Sequence, residues 1–249
     1  MSSGWRWAAA SLVGTSHQRT GAPLQDAYAA ADSGRWLTAI VCDGAGTAEY
    51  GRQGAWLAAR TFTSSARRWL ANQNELPTSE VVHAWIDDAR VRISNAASRR
   101  GVTDRAFAST LSACIAGPSG FIIAQIGDSV IALKVAGDWL VPCWPQQGEY
   151  ASSTYFITDA EPQVSLVTGD DGVDAIAAFS DGLDAIALNQ ASQSPHLPFL
   201  DPMIRPVAAL PSRGRDALLS RQLRSFLATD RVCDRTDDDK TLILASLPS

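Results

Sequence analysis

Short apolar runs that end at an aspartate are the feature that most constrains how this chain folds. The first, residues 36–42, is Trp-Leu-Thr-Ala-Ile-Val-Cys, and it leads directly into Asp43 and Gly44. Such a run predicts a buried strand. Glycine lets the backbone approach a ligand closely, and an aspartate beside an exposed carbonyl suits a hard cation such as Mg²⁺ or Mn²⁺. Taken alone, an Asp-Gly pair is more often an ordinary turn than a metal site.

The same arrangement recurs along the chain. Asp128 and Asp181 each follow a strand-like run, whereas Asp26 and Asp238 each precede one. Together with the first aspartate they extend over most of the sequence, so they are not a local charge cluster. Because strand ends from distant parts of a chain meet at the edges of sheets, we expect folding to bring these carboxylates together as metal ligands.

The order of strand and helix patterns indicates the fold class. Strand patterns cover 5–13, 28–31, 36–42, 107–116, 121–126, 130–135, 139–141, 174–179 and 240–247, and helical patterns cover 49–70, 79–97, 216–227 and a segment starting near 182. Residues 144–171 are predicted to be a surface excursion, and the proline-punctuated segment 192–211 to be irregular. This order does not alternate strand and helix. It predicts one α+β domain over residues 1–249, with helices covering antiparallel sheets.

Composition narrows the functional classes. The chain has 249 residues, 46% of them hydrophobic, which allows a large core. A net charge of −5 argues against a general nucleic-acid binder. The sequence shows neither a run of about 20 apolar residues nor a secretion-signal pattern, so no membrane partner is expected. The four widely spaced cysteines form no C-x-x-C pair and predict buried, reduced thiols in a cytoplasmic protein.

Five short motifs, in this order, resemble those of the PPM (type 2C) family of metal-dependent protein phosphatases. They are Gln25-Asp26-Ala27, Val41-Cys42-Asp43-Gly44, Ile126-Gly127-Asp128-Ser129, Phe179-Ser180-Asp181-Gly182-Leu183 and Asp238-Asp239-Lys240-Thr241. Three further segments resemble a compact bacterial branch of that family, namely Gly14-Thr15-Ser16-His17, Gly148-Glu149-Tyr150 and Phe156-Ile157-Thr158-Asp159. Each motif is short, but their ordered combination covers nearly the whole chain and is specific.

The resemblance implies a fold, a reaction and cofactors. The fold is a four-layer α/β/β/α sandwich, with two central, mostly antiparallel sheets flanked by helices and a metal cleft at one edge. The reaction is hydrolysis of phosphoserine and phosphothreonine monoesters on a phosphorylated protein substrate, by a metal-bridging hydroxide and without a phosphoenzyme. The implied cofactors are two Mg²⁺ or Mn²⁺ ions, with a weaker third.

The resemblance also assigns roles to the aspartates. Asp43 bridges both ions, and the carbonyl of Gly44 binds one of them. Asp181 and Asp238 bind the other ion, so the catalytic set is Asp43, Asp181 and Asp238. Carboxylates suit this work because they are hard, anionic and able to bridge two cations.

Two positions are implied to be weaker. Asp26 acts mainly through metal-bound water, and Asp128 joins Asp181 to hold the third ion. The complete set of implied metal ligands is Asp26, Asp43, Gly44, Asp128, Asp181 and Asp238.

The sequence departs from the family pattern at two positions. Many relatives have a histidine after Asp-Gly that is thought to protonate the leaving oxygen, but here Ala45 follows, so no general acid is assigned. Relatives also commonly have a phosphate-binding arginine about five residues before the first aspartate, where this chain has Gly21. His17 and Arg19, in the preceding loop, are the predicted substitutes that contact the substrate phosphate. The alternative is that Arg19 is a solvated surface charge and His17 a structural hydrogen-bonding residue.

These departures leave a second class of function open. A catalytically weak or inactive module of the same fold would bind a phosphoprotein or another partner without turnover. Retention of all five carboxylates argues against it, since acids packed in one cleft without cations repel one another. The sequence does not specify the physiological substrate, the cognate kinase, the oligomeric state or the choice between Mg²⁺ and Mn²⁺.

Overall fold

Two β-sheets form the centre of the computed structural model, which describes residues 4–146 and 154–247. The strands are β1 Arg6–Leu12, β2 Ala27–Ser33, β3 Trp36–Cys42, β4 Leu111–Gly117, β5 Gly120–Ile126, β6 Val130–Val135, β7 Asp138–Leu140, β8 Ser165–Gly169, β9 Val173–Phe179, β10 Leu188–Asn189, β11 Ser194–Pro195, β12 Gly214–Arg215 and β13 Lys240–Ser246. The α-helices are α1 Thr15–Thr20, α2 Gly51–Gln73, α3 Ser79–Arg100, α4 Asp184–Ala187, α5 Leu197–Ala208, α6 Ala217–Leu227 and α7 Asp230–Cys233. The family-like segment 148–150 lies outside the described residues.

The two sheets are almost entirely antiparallel. One has five strands in the order β2-β3-β4-β5-β8, and the other has six in the order β12-β1-β13-β9-β6-β7. The short pairing of β1 with β12 is parallel. Helices α2 and α3 pack on the five-stranded sheet, while α5 and α6 pack on the six-stranded sheet.

Three hydrophobic clusters separate the layers. The middle cluster lies between the sheets and includes Leu37, Cys114, Ile131 and Ile243. The outer two clusters lie between each sheet and its helices. Four layers in the order helix, sheet, sheet, helix follow from this arrangement, which confirms the predicted fold class.

Strand β3 shows why the sequence takes this form. All seven of its residues are buried. Leu37, Ala39 and Val41 face the other sheet, whereas Ile40 and Cys42 face the helices. A strand covered on both faces needs a continuous apolar run, because alternate side chains enter different cores. The run therefore ends where the strand leaves the core, at the edge of the sandwich.

Helix α5 corrects the prediction that residues 192–211 are irregular. It continues through Pro202 and Pro206, each of which lacks the amide hydrogen of an ordinary helical residue. Both prolines are exposed, so water can solvate the carbonyl groups left without a donor. The opposite face buries Leu200 and Ile204 against the six-stranded sheet, and this packing stabilises the helix despite its poor intrinsic propensity.

Three smaller predictions are also corrected. The excursion at 144–171 contains β8, an edge strand that pairs with β5. The segment that carries His17 and Arg19 is the short helix α1 and not a loop. The strand predicted at 107–116 begins at Leu111, because a 3₁₀ helix occupies Asp104–Phe107.

Within the described residues, no helix is both long enough and apolar enough to cross a bilayer.

Candidate metal centre

Three carboxylates converge where strands of both sheets end. Asp43 follows β3, Asp128 lies in the turn between β5 and β6, and Asp181 opens a 3₁₀ helix directly after β9. One carboxylate oxygen from each of these side chains lies within 4.8 Å of the other two. The five-stranded sheet supplies Asp43 and the six-stranded sheet supplies Asp181, so the two halves of the sandwich build the cluster together.

The backbone around Asp43 is held by the start of β4. The amide of Thr110 donates to the Asp43 carbonyl at 2.8 Å, and the Asp43 amide lies 2.9 Å from the Thr110 hydroxyl. Gly44 pairs with Ser109 in an isolated antiparallel bridge. A Cβ at Gly44 would collide with the backbone of Gly51, where α2 begins, so only glycine fits this position.

Burial and mutual repulsion raise the pKa values of these acids. The pKa of Asp43 lies well above its usual value because the group is buried and because Asp26, Asp181 and Asp128 are close. Burial, followed by the charges of Asp128 and Asp238, raises the pKa of Asp181 to about 7. Burial also raises the pKa of Asp128. Ionised carboxylates that lie this close together in a buried site repel one another, so they need a compensating positive charge.

The hydrogen bonding of the cluster leads to the same conclusion. Buried polar atoms in proteins normally have a partner. Among the described residues, one buried oxygen each of Asp26, Asp128, Asp181 and Asp184 has none. Converging, unpartnered carboxylate oxygens are the ligands that Mg²⁺ and Mn²⁺ prefer, so the residues present fit a divalent-cation site.

Asp26 occupies a more enclosed position than the other acids. One of its carboxylate oxygens accepts hydrogen bonds from Ser180 and Thr241, both at 2.7 Å. Burial raises its pKa to about 6, although these two hydrogen bonds oppose the shift. Asp26 is therefore held in a fixed orientation beside Asp43, with its second oxygen left for another partner.

The cluster opens into a cavity of about 590 Å³, within the usual size range of small-molecule sites. The described residues that line it are Ser16, His17, Gln25, Asp43, Gly44, Ala45, Gly46, Thr47, Thr110, Asp128, Pro145, Gln146, Thr154, Phe156, Asp181, Asp184, Gln190 and Asp238. None of these is a lysine or an arginine. Asp238 thus faces the same space as the three converging carboxylates, and its charge acts on Asp43, Asp128 and Asp181.

His17 and Arg19 take different positions. His17 lines the cavity, and its Nδ1 lies 3.0 Å from Oδ1 of Asp239. Arg19 does not line the cavity, and it donates to Asp237 at 3.0 Å on the surface, where both side chains are about two-thirds exposed. The structure thus brings only His17 of the two to the cavity, and the position of Arg19 favours the interpretation as a solvated charge.

Two functional candidates were missed by sequence reasoning. Asp184 lines the cavity three residues after Asp181, and burial together with the Asp181 charge raises its pKa to about 8. Its spacing after Asp181 is one helical turn, which is the signal that could have revealed it. Asp239 is buried, and it accepts hydrogen bonds from the amides of Gly14 and Gln25 at 2.6 Å each.

The fold is a four-layer sandwich with a cluster of carboxylates at one edge that fits a divalent cation, and comparison with known proteins identifies the family. A sequence model of Protein phosphatase 2C matches residues 13–228. Serine/threonine-protein phosphatase 3 of Escherichia coli (strain K12) is 36% identical in an alignment of 252 positions, gaps included, which covers 97% of this chain and 98% of that protein. The chain therefore belongs to the protein phosphatase 2C family, and the resemblance found in the sequence is confirmed.

Solved structures agree with this fold. The catalytic domain of the serine threonine protein phosphatase PstP, in complex with 2 manganese ions, matches with a TM-score of 0.66 and 15% identity, over 99% of each chain. PppA of Pseudomonas aeruginosa matches with a TM-score of 0.66 and 17% identity, over 98% of this chain and 97% of that one.

Proposed function

We propose that this chain hydrolyses phosphoserine and phosphothreonine monoesters on proteins, with Mg²⁺ or Mn²⁺ bound at the aspartate cluster. The observation that carries the proposal is the convergence of Asp43, Asp128 and Asp181, whose oxygens lie within 4.8 Å of one another. Membership of the protein phosphatase 2C family and the name of the curated relative support the same reaction and substrate class.

The ligand assignments are part of the proposal. Asp43 and the Gly44 carbonyl, with Asp181 and Asp238, would hold two ions. Asp128 would hold a weaker third ion together with Asp181. Bound Mg²⁺ or Mn²⁺ would supply a lowered pKa for a water molecule and positive charge beside the phosphoryl oxygens.

Two further acids would support this centre. Asp184 faces the same cavity with an unpartnered oxygen, so we add it to the candidate ligands of the weaker site. Asp26 would act through water, because Ser180 and Thr241 already occupy one of its oxygens. The hydroxyls of those two residues thus fix the direction in which the second oxygen of Asp26 can accept a proton or a hydrogen bond.

The charge of the cavity makes activity depend on cations. A phosphate dianion that enters the cavity meets five lining aspartates and, among the described residues, no lysine or arginine. Like charges so close together repel one another strongly in a partly buried site. The protein without metal would therefore bind substrate poorly as well as turn it over slowly.

Hydrolysis assays with defined metal content test the proposal. Metal-free protein should hydrolyse p-nitrophenyl phosphate and a phosphoserine or phosphothreonine peptide only after Mn²⁺ or Mg²⁺ is added, and a chelator should abolish the activity. A phosphotyrosine peptide of the same sequence is the matched control for substrate class. A folded protein that binds the phosphopeptide and shows no metal-dependent turnover would instead support the non-catalytic binding module.

The segments that line the cavity are the candidates for substrate selection. Gln146 and Phe156, from the segment 144–171, line the cavity together with Gln190 of the turn between β10 and β11, and we propose that these segments contact the protein substrate.

The cysteines support a cytoplasmic location. The four cysteines are free, and Cys42 and Cys114 are fully buried. Reduced thiols of this kind are typical of a cytoplasmic protein.

A further inference from the structure

His17 and Asp239 form a pair at the rim of the cavity. The imidazole Nδ1 lies 3.0 Å from the Asp239 carboxylate, whose side chain is 1% exposed, whereas the His17 side chain is 18% exposed. The pair joins helix α1 to the start of β13, more than 200 positions apart in the sequence. A Cβ at Gly14 would collide with the backbone of Asp237 and Asp238, so this glycine allows the two segments to approach closely.

The other contacts of Asp239 define the role of each ring nitrogen. Oδ1 accepts from the amide of Gly14, and Oδ2 accepts from the amide of Gln25. Amide groups are obligatory donors, so Asp239 is an acceptor at both oxygens and matches an ionised carboxylate. Nδ1 of His17 must then carry the hydrogen of the His17–Asp239 contact. The second nitrogen, Nε2, is left free to interact with a molecule in the cavity that His17 lines.

His17 also differs in charge type from the other ionisable side chains that the structure describes in the cavity lining. Every other ionisable side chain among the described residues of the cavity lining is an aspartate. The segment 147–153, which follows the cavity residue Gln146, contains no lysine, arginine or histidine. Ala45 occupies the position after Asp43-Gly44 and has no proton to give. Among the described lining residues, His17 is therefore the one side chain that becomes positively charged on protonation, which suits it to donate a proton to a phosphate ester in the cavity.

We propose that His17 is the general acid of the reaction, and that Asp239 is the positioning residue that orients it. This inference rests on the proposed phosphatase function. Water adds to phosphorus, and the bond between phosphorus and the serine or threonine oxygen breaks. The proton on Nε2 moves to that oxygen and yields the free hydroxyl, while the attacking water gives up a proton to solvent. His17 is left neutral and regains its proton from solvent, while Asp239 keeps accepting the hydrogen bond from Nδ1.

Dependence on the leaving group tests the role of His17. The alkoxide of serine is a poor leaving group that needs a proton, whereas p-nitrophenolate leaves without one. General acid catalysis contributes about 10²- to 10⁴-fold. His17→Gln should therefore lower kcat for a phosphoserine peptide at least about 100-fold and lower kcat for p-nitrophenyl phosphate much less. His83→Gln, on the exposed surface of α3, is the matched control and should change neither rate.

Asp239→Asn tests the positioning role with a readout other than activity. The chain has three histidines, so the imidazole nitrogen signals of a ¹⁵N-labelled sample are few enough to assign by the two His→Gln variants. In the wild-type protein, neutral His17 should carry its hydrogen on Nδ1. In Asp239→Asn the hydrogen should redistribute toward Nε2, and the leaving-group dependence of kcat should move toward that of His17→Gln.

The outcomes separate this inference from the function on which it rests. A selective loss on the phosphoserine peptide together with the Nδ1 tautomer supports the inference. An active wild-type protein whose His17→Gln variant loses equal factors on both substrates overturns it, because His17 would then only bind phosphate. The inference also fails if neutral His17 carries its hydrogen on Nε2. A folded wild-type protein that hydrolyses neither substrate with Mn²⁺ overturns the proposed function and the inference together.

Discussion

The buried acids of this end of the sandwich differ in whether the protein itself supplies their hydrogen-bond donors. Asp239 is 1% exposed and receives two backbone amides and His17. Asp128 and Asp181 are partly buried, and each has a buried carboxylate oxygen that no described donor reaches. The first acid is satisfied within the protein, whereas the cluster is not.

The presence or absence of hydrogen-bond donors distinguishes a carboxylate with a structural role from one that is suited to bind a cation. A buried acid with a full set of donors stabilises its surroundings and orients whatever it contacts. A buried acid without donors costs stability unless something outside the chain supplies positive charge. Replacing an aspartate by asparagine should therefore have opposite effects on the metal-free protein in the two regions.

The largest expected effect is on turnover. Asp43→Asn removes the central charge of the cluster and should lower Mn²⁺-dependent kcat/KM for a phosphoserine peptide by at least about 100-fold. The variant should fold normally, and its melting temperature without metal should be no lower than that of the wild-type protein. Asp171→Asn, in the exposed turn between β8 and β9, is the control. Full activity in Asp43→Asn would remove the cluster from the mechanism.

The second effect is on the stability of the metal-free protein at different pH values. Burial and neighbouring charge raise the pKa of Asp181 to about 7 and that of Asp184 to about 8, from 3.8 in both cases. The folded protein thus binds more protons than the unfolded chain between pH 4 and pH 8, so the free energy of unfolding should fall as pH rises. The slope is about 1.4 kcal/mol per pH unit for each extra proton bound.

Urea unfolding of chelator-treated protein at pH 5 and pH 8 measures this effect. Saturating Mn²⁺ should restore more stability at pH 8 than at pH 5, because protons compete with the cation for the same oxygens. Equal metal-free stability at both pH values would indicate that the acids are not held as the cluster requires.

The third effect sharpens the contrast between the two regions. Asp239→Asn should lower the free energy of unfolding by about 1–3 kcal/mol, the usual cost of a lost hydrogen bond to a buried charge. Asp181→Asn should raise the free energy of unfolding of the metal-free protein, because it relieves repulsion. Denaturant titration of both variants in the presence of chelator provides the comparison, and a loss of stability in both would show that the two regions do not differ.

The smallest effect is expected at the surface. Arg19 pairs with Asp237 where both side chains are about two-thirds exposed, and such pairs contribute between zero and about 1 kcal/mol. Arg19→Ala should change KM for a phosphopeptide less than about twofold, since a solvated charge outside the cavity is screened from the substrate. A tenfold rise in KM would restore the prediction that Arg19 contacts the phosphate.

Much of the fold could be predicted because its central strands are buried on both faces. The continuous apolar runs located β3, β5, β6, β9 and β13 closely, and helical spacing located α2, α3 and α6. Helix α5 could not be predicted in the same way, because its prolines contradict local propensity and only packing on the sheet compensates. Strand β8 was missed because it is a short edge strand that pairs with one neighbour.

The candidate site shows a similar limit. The order of the motifs identified the family. Four of the five aspartates predicted from the sequence line one cavity, and the fifth, Asp26, is buried close enough to Asp43 for its charge to act on it. The run Asp237-Asp238-Asp239, however, places one acid on the surface with Arg19, one in the cavity and one buried under α1. Neighbouring residues of a chain near a strand face different directions, and no pattern within three identical letters shows which residue takes which role.

Anomalous scattering from a manganese-soaked crystal tests the central claim most directly. The account predicts anomalous density within coordination distance of carboxylate oxygens from Asp43 and Asp181, and none beside Asp239. A folded crystal with an ordered cavity and no manganese at these oxygens would contradict it.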